Sequence, residues 1–466
     1  MPRRIVIVGC GVAGTTAAFQ ARKTDRSAEI TIVGEESLPE YSRCGLPYAF
    51  SGEVPSFRSL LGYDEVFYEQ TNRVRLRLGW KTEKIEPGVK RLTILHDEDG
   101  RLEELEYDSL ILSTGAQATK LPVAGADLEG VFTIRTMDDV QGLANHISKG
   151  KAKKAAVIGA GLTGSEMAEA LLHKGIRVIQ AEIVPEILPV ILDPDMASLV
   201  RTRAEEYGVK YHLGSSLDRI IGSGNRVSGV EISGQKYEAE AVVMAVKVKP
   251  NTDLAKQAGL ALGEFGGIRT NENMQTSEPS IYAAGDCVET YDRVTKRYVF
   301  FQLATTAVRQ AVVAGSNAAG GNARYPGSTG VTTVKLFGLE VASFGPTTAL
   351  AERIGIRPVS IRVTGSTRLK YYPGGKDLAV KLLADSKDGK VLGVQLVGEE
   401  GATLRANFAS MAAHLGLTVE MLEQIETCYS PPLAPVWDPI TIAAQALLRK
   451  LNANVTRARP LAGQAS

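Results

Sequence analysis

The chain has 466 residues, enough for roughly three domains of about 150 residues, with 44% apolar and 23% charged side chains. Lys and Arg number 53 against 52 Asp and Glu, so a formal charge of +1 gives no global pull toward nucleic acid or an anionic membrane, and any anion must be held locally. Glycine is abundant at 47 residues but follows no collagen-like period, which assigns the excess to tight turns and to loops that approach another group closely. No apolar run nears the ~18 to 20 residues of a membrane span. The short β-branched stretch after Arg3 and Arg4 runs into glycines, unlike a signal peptide, so the sequence predicts a cytoplasmic protein.

In chain order, Arg4-Ile5-Val6-Ile7-Val8 predicts a buried strand, Gly9-Cys10-Gly11-Val12-Ala13-Gly14 a tight turn, Thr15 to Lys23 a helix, and Glu29 to Val33 a second strand. In that setting Gly-x-Gly-x-x-Gly marks a dinucleotide site, because its glycines let the backbone approach a pyrophosphate at the positive end of a helix. Gly34 stands where an acid often follows the strand, so Glu35, with Glu36 as the alternative, is expected to take the ribose hydroxyls. Leu110-Ile111-Leu112 predicts another strand, closed by the small-residue turn Ser113-Thr114-Gly115.

The first unit then recurs. Lys154 to Ile158 is the strand, Gly159-Ala160-Gly161-Leu162-Thr163-Gly164 the turn, Ser165 to Lys174 the helix, and Arg177 to Ala181 the next strand, ending at Glu182. A carboxylate there accepts from a 2′-hydroxyl and repels a 2′-phosphate, which favours NADH. Lys174 and Arg177, close by in sequence, weaken that preference and keep NADPH as an alternative. Ile281 to Asp286 is a further strand ending in an acid, and in a chain with two nucleotide folds Asp286 suits the ribityl chain of a flavin.

Beyond about residue 327 the pattern changes. Thr332 to Leu336, Val359 to Thr364, Leu378 to Ala384 and Val391 to Val397 read as antiparallel strands, with Asp388-Gly389 as a hairpin turn, followed by helices over Ala402 to Leu415 and Thr441 to Lys450. The fold class expected is α/β, with two Rossmann-like dinucleotide-binding domains and a C-terminal α+β dimerisation domain. Residues 1–116 and 251–326 form the flavin domain, 117–250 the nicotinamide domain, 327–451 the third domain, and 452–466 a disordered tail.

Cys10, Cys44, Cys287 and Cys428 are far apart, with no Cys-x-x-Cys pair, so neither a disulfide framework nor a metal ligand set is expected. Cys44 stands out in Tyr41-Ser42-Arg43-Cys44-Gly45-Leu46-Pro47-Tyr48. A helix beginning there, with Pro47 in its first turn, places the thiol at a positive helix end beside Arg43, and both effects predict a lowered thiol pKa. Cys10 and Cys287 read as packing residues.

The order of these motifs resembles the FAD-dependent pyridine nucleotide disulfide oxidoreductases over nearly the whole chain. One cysteine before Gly-Leu-Pro-Tyr is similar to the branch holding coenzyme A disulfide reductases, NADH oxidases and peroxidases, and NAD(P)H polysulfide or persulfide reductases. The resemblance implies FAD held by Gly9, Gly11, Val12, Ala13, Gly14, Glu35, Arg43, Thr114, Gly115, Gly285 and Asp286. It implies a nicotinamide nucleotide held by Gly159, Gly161, Leu162, Gly164 and Glu182. Cys44 would be the redox-active residue of a homodimer, with Tyr371, Tyr372 and Tyr429 reaching the partner's site. Thr16, Gln20 and Lys23, on one helix face, are similar to a coenzyme A contact set, and Arg43 is placed to meet an acidic group of a disulfide, persulfide or polysulfide.

Two departures qualify the resemblance. Oxidases and peroxidases of the branch carry a histidine where this chain has Val12, which shifts the expectation toward sulfur substrates. Lys247 replaces a usual glycine in Lys247-Val248-Lys249-Pro250-Asn251, on the expected nicotinamide path. An electron-transfer reductase for an iron–sulfur protein is the remaining alternative, and the Arg43 to Pro47 segment departs from that class.

Overall fold

The computed structural model describes residues 1–150 and 152–458. A continuous apolar run in a strand needs cover on both faces, and β1 (Arg4–Val8) receives it, with Ile5 through Val8 all buried. It lies at the centre of a five-stranded parallel sheet, in the order Ile281–Ala283, Ser109–Leu112, β1, β2 (Glu29–Gly34), Val74–Leu78. The chain leaves β1 for β2 on one side and returns for Ser109–Leu112 on the other. The carboxyl end of β1 is therefore a topological switch point, where open α/β sheets bind ligands.

Helix α1 (Val12–Thr24) packs on the helix Ala304–Ala318 through Ala17, Ala18, Ala21, Ala311 and Ala314. The approach is so close that a Cβ on Gly315 would lie 2.2 Å from the carbonyl oxygen of Ala17. A six-residue helix, α2 (Leu46–Ser51), follows Cys44.

The second parallel sheet has the order Lys210–Leu213, Arg177–Glu182, Lys154–Ile158, Ala241–Met244, Val131–Thr133. Around it stand α3 (Met137–Ser148), α4 (Leu162–His173) and α5 (Pro194–Tyr207). The two crossings between the first and second sheets are tied together. Ala116–Ala118 pairs antiparallel with Val248–Pro250, and Thr114 Oγ1 donates to the Asn251 carbonyl at 2.6 Å while Asn251 Nδ2 donates to the Thr114 carbonyl at 2.9 Å.

The C-terminal unit is a five-stranded antiparallel sheet with a helix Ala402–Leu415 and a final helix Pro439–Ala458. Its strand Leu339–Phe344 was not among those expected. The final helix corrects the expected tail: residues 452–458 continue it, because extending an established helix costs far less than starting one. Residues 459–466 of that expected tail lie outside the described residues.

Val334, Leu336, Phe337, Leu339 and Val341 of this unit share one hydrophobic core with Val157, Met167 and Leu171 of the second sheet and α4. Beside it Asp193, only 3% exposed, stands directly before α5 and pairs with Lys381 at 2.9 Å. Its carboxylate also accepts from Thr348 N at 2.8 Å and Thr348 Oγ1 at 2.6 Å, and its own N–H donates to Gln395 Oε1 at 2.7 Å. A charge this deeply buried is tolerable only with such a full set of partners. All four thiols are free. No described helix is long and apolar enough to cross a membrane.

Candidate active site

The two glycine-rich turns are built alike. Gly9 has φ +109°, and a Cβ there would lie 2.2 Å from the Ser113 carbonyl oxygen; one on Gly14 would lie 1.9 Å from the Gly9 oxygen. These two glycines are demanded by the protein's own backbone. Gly11 is different, since a Cβ there would meet nothing within 4 Å. It faces open space at the N-terminus of α1, where the first helical N–H groups, including those of Val12 and Ala13, lack partners within a helix. In the second turn a Cβ on Gly159 would lie 2.4 Å from the Ala245 oxygen and one on Gly164 2.1 Å from the Gly159 oxygen, while Gly161 again meets nothing. Leu162 opens α4 there. Each turn thus offers a positive, backbone-lined hollow at a switch point, which fits a pyrophosphate, the group that FAD and a nicotinamide dinucleotide share.

The acids of the two halves differ in register. Gly9 N donates to the Val33 carbonyl and Gly159 N to the Ala181 carbonyl, both at 2.8 Å, so Gly34 is the counterpart of Glu182. A Cβ on Gly34 would lie 2.9 Å from Cys10 Cβ. Glu35, one residue later, is exposed, whereas Glu36 is bound to Arg43. Glu182 Oε2 accepts from Ala160 N at 2.8 Å and Oε1 from Val184 N at 3.2 Å, which fixes the carboxylate at the mouth of the turn. The structure corrects the expectation that Lys174 and Arg177 temper its charge. Arg177 starts the strand that Glu182 ends, so some 17 Å of strand separates them at ~3.3 Å per residue, and Lys174 follows the far end of α4.

Cys44 lies in a 3-10 turn, Arg43–Gly45, that leads into α2, with Pro47 near the helix start as expected. Its side chain is exposed. The expectation of a lowered thiol pKa is overturned: desolvation by the surrounding protein raises it, as do the negative charges of Glu166 and Asp286, with Arg135 acting the other way. Arg43 does not acidify the thiol, because its fork is taken. It pairs with Glu36 and donates to Tyr41 Oη at 3.0 Å and the Arg135 carbonyl at 3.1 Å. Tyr41 Oη in turn donates to Glu36 Oε2 at 2.5 Å and accepts from Met137 N at 2.9 Å, binding this loop to the start of α3.

Two functional candidates, Arg135 and Glu166, were missed. Arg135, just before α3, pairs with Asp286 at 2.6 Å and donates to the Ala116 carbonyl at 3.0 Å, so it joins the second domain to the acid expected at the ribityl chain. Glu166 on α4 accepts from Tyr48 Oη on α2 at 3.3 Å, and burial pushes its carboxyl up to about 7. A carboxylate two residues past the last glycine of the second turn was visible as a signal; its partners were not. Gly285, beside Asp286, touches the first turn, since a Cβ on it would lie 3.0 Å from Ala13 Cβ, and its N–H donates to Gln310 Oε1 at 2.8 Å. Thr114 and Gly115 belong to the tied crossing, where the Gly115 carbonyl accepts from Asn251 N at 3.0 Å.

Thr16, Gln20 and Lys23 do share a face of α1, the first two half-buried and Lys23 exposed. Tyr371, Tyr372 and Tyr429 lie in the C-terminal unit, 73%, 36% and 51% exposed. The neighbouring Tyr429 phenol raises the Tyr371 pKa. Among the described residues, neither bonds to Cys44 of the same chain. Lys247 is exposed, and its φ is not among the positive ones, so the usual glycine is not required by the backbone here.

Two dinucleotide cradles meeting at one exposed thiol define a two-nucleotide redox enzyme, in which bound cofactors carry the electrons and the protein orients them. The chain belongs to the pyridine nucleotide-disulphide oxidoreductase family: that family's model matches residues 3–311, and its dimerisation domain matches residues 331–439. It is an NAD(P)H-dependent flavoprotein oxidoreductase. The chain is 37% identical to an NADH oxidase of Methanocaldococcus jannaschii, over 96% of this chain and 99% of that one. It is 32% identical to the NAD(P)H coenzyme A polysulfide/persulfide reductase of Pyrococcus horikoshii, over 96% and 99%. Its fold matches the NAD-dependent persulfide reductase from A. fulgidus with a TM-score of 0.94 at 33% identity, covering 97% of this chain and 84% of that one.

Proposed function

We propose that this protein is a homodimeric, NADH-dependent flavoenzyme that reduces a low-molecular-weight disulfide, persulfide or polysulfide through Cys44. The observation that carries this reading is a free, exposed thiol on the turn into α2, next to the charges of Asp286 and Arg135, with a valine rather than an imidazole in the first glycine-rich turn. Bound FAD supplies the hydride relay between nicotinamide and sulfur. Cys44 attacks a sulfur–sulfur bond as thiolate, forming a mixed disulfide and releasing one thiol. Asp286 and Arg135 hold the ribityl side of the site, and Glu182 receives the adenosine ribose. The Thr16, Gln20 and Lys23 face takes the body of a coenzyme A-type substrate, in keeping with the names of the Pyrococcus relatives. A second reading, NADH oxidase through a Cys44 sulfenate, is favoured by the name of the M. jannaschii relative.

Steady-state NADH oxidation with coenzyme A disulfide, coenzyme A persulfide, polysulfide, glutathione disulfide and oxygen separates the two. A sulfur compound is expected to give the highest kcat/KM; oxygen turned over faster than all of them would establish the oxidase. In the same assay NADH should exceed NADPH in kcat/KM by tenfold or more, equivalent to ~1.4 kcal/mol, because a 2′-phosphate would face the fixed Glu182 carboxylate while Lys174 and Arg177 stand apart from it. A preference for NADPH would remove Glu182 from that role.

A further inference from the structure

Tyr371, Tyr372 and Tyr429 stand on two irregular stretches of the C-terminal unit, and both stretches are anchored at one place. Tyr371 and Tyr372 belong to the loop 367–376, which joins the antiparallel strands Pro358–Ser366 and Asp377–Asp385. A loop of that length loses much chain entropy on ordering and keeps one shape only where it is tied. Its neck is closed by Thr367 N donating to the Lys376 carbonyl at 2.8 Å and by Lys376 N donating to Thr367 Oγ1 at 2.9 Å. Arg368 Nη1 reaches across the loop to the Pro373 carbonyl at 3.4 Å.

Two adjacent carboxylates, in the turn between the strand Val391–Gly398 and the helix Ala402–Leu415, bind the feet of this loop. Glu399 pairs with Lys376 at 2.7 Å, but these side chains are 40% and 45% exposed, and an ion pair so open to water contributes little. Glu400 makes the firmer tie. One of its oxygens accepts from Thr367 Oγ1 at 2.6 Å and the other from Arg368 Nη2 at 3.3 Å, so one charged group holds the first two residues of the loop. The same turn holds the Tyr429 stretch. Arg405, in the first turn of the helix that follows, donates through Nε to Asp438 Oδ2 at 2.8 Å and through Nη1 to the Gly401 carbonyl at 3.1 Å. Asp438 Oδ1 accepts from Ile440 N at 2.9 Å, which fixes where the Tyr429 stretch ends and the final helix begins. A Cβ on Gly365 would lie 2.8 Å from Pro439 Cγ, so the foot of the loop and the end of the Tyr429 stretch pack side by side.

We propose that Glu400 is a positioning residue for the phenols: through Thr367 and Arg368 it fixes the loop that presents Tyr371 and Tyr372 to the partner subunit, while Arg405, through Asp438, fixes the stretch that presents Tyr429. Neither residue touches substrate. A site carried on loops needs such support, since a phenol displaced by about 1 Å no longer meets its target. The inference rests on the reading that the tyrosines complete the partner's site, and it goes beyond that reading in assigning their pose to one turn.

Glu400→Ala should lower kcat with a sulfur substrate about tenfold, while FAD content, dimer mass and bleaching of the flavin by NADH stay near native. Glu400→Gln keeps an oxygen for Thr367 and should lose less. The deciding readout is subunit complementation, which a general loosening of the chain would not sort. Mixed with Cys44→Ser chains under subunit exchange, Glu400→Ala chains give heterodimers in which an intact Cys44 meets an intact loop, and activity should rise about fivefold over the unexchanged mixture. Mixed with Tyr429→Phe chains they should gain nothing, because both changes then fall on the phenol side of every site. Thr367→Val should sort in the same way and serves as the test if Glu400→Ala does not form a folded dimer. Native turnover by the folded variant, or a gain with Tyr429→Phe, overturns the proposal. So does a slow variant that gains nothing with Cys44→Ser although Tyr429→Phe does, and in that case the shared site still stands. If Tyr429→Phe also gains nothing with Cys44→Ser, the shared site falls and the proposal with it.

Discussion

Cys44→Ser is expected to abolish reduction of disulfide, persulfide or polysulfide by about three orders of magnitude or more, ~4 kcal/mol of lost transition-state stabilisation. The serine hydroxyl fills the same place in the turn before α2 but is a far weaker nucleophile than a thiolate. The fold should be unaffected because the side chain is exposed. Flavin content and the rate at which NADH bleaches the flavin should stay near native values, since both cradles lie on other segments. Stopped-flow absorbance at the flavin band with NADH alone, then with each sulfur substrate, measures the two halves separately. Retained sulfur reductase activity would show that Cys44 is a bystander. The buried Cys287, whose thiol is held up by desolvation, and the half-buried Cys10, pushed up to about 12 for the same reason, should tolerate serine with little loss of rate.

A second large effect should appear only between subunits. Tyr371 and Tyr429 lie exposed on the unit matched by the dimerisation domain, and among the described residues neither bonds to Cys44 of its own chain. If they complete the site of the partner, Tyr429→Phe removes a phenol able to protonate a leaving thiolate and should slow turnover while sparing flavin reduction. Mixing Tyr429→Phe with Cys44→Ser chains under conditions of subunit exchange then gives heterodimers with one intact site and one doubly altered site. With half of the dimers mixed, activity should climb to about a quarter of native. Exchange verified by mass labels with no gain in rate would place each site within a single chain. Cys428 precedes Tyr429 and is exposed, so Cys428→Ser in the same assay reports whether that thiol takes part.

The nucleotide-binding units were legible because strand, glycine turn and helix follow one another without interruption and the strand leading into each turn is apolar after its first residue. Lys154–Ile158 and Arg177–Glu182 fall where the pattern puts them, as do Thr332–Leu336 and Ala402–Leu415. Leu339–Phe344 escaped, although Gly338 and Gly345 bracket it, because its short run lacks clean alternation: five of its six residues are buried. The site was less legible than the fold. Arg43 was read from its neighbour in sequence, Cys44, whereas its charge is settled by Glu36, seven residues earlier and brought close by the turn after β2. Arg135 meets Asp286 across 151 positions, and Tyr48 meets Glu166 across 118. Pairings of that range depend on how two sheets are docked, and motif spacing carries no trace of it. Lys174 and Arg177 failed in the opposite way, being close to Glu182 in sequence but set apart by the length of a helix and a strand.

The core that runs without a break from the second sheet into the C-terminal one bears on how such a chain is put together. Phe337 and its neighbours rest on α4, and Asp193 is bound to Lys381, Thr348 and Gln395, all from the far end of the sequence. The nicotinamide half is therefore no detachable cassette. Cut out at its crossings, it would expose one wall of its own interior and leave a carboxylate at the head of α5 without its ammonium. Transplanting this half into another flavoprotein to change its electron donor would carry along the sheet of the unit matched by the dimerisation domain, so the two units travel here as one piece.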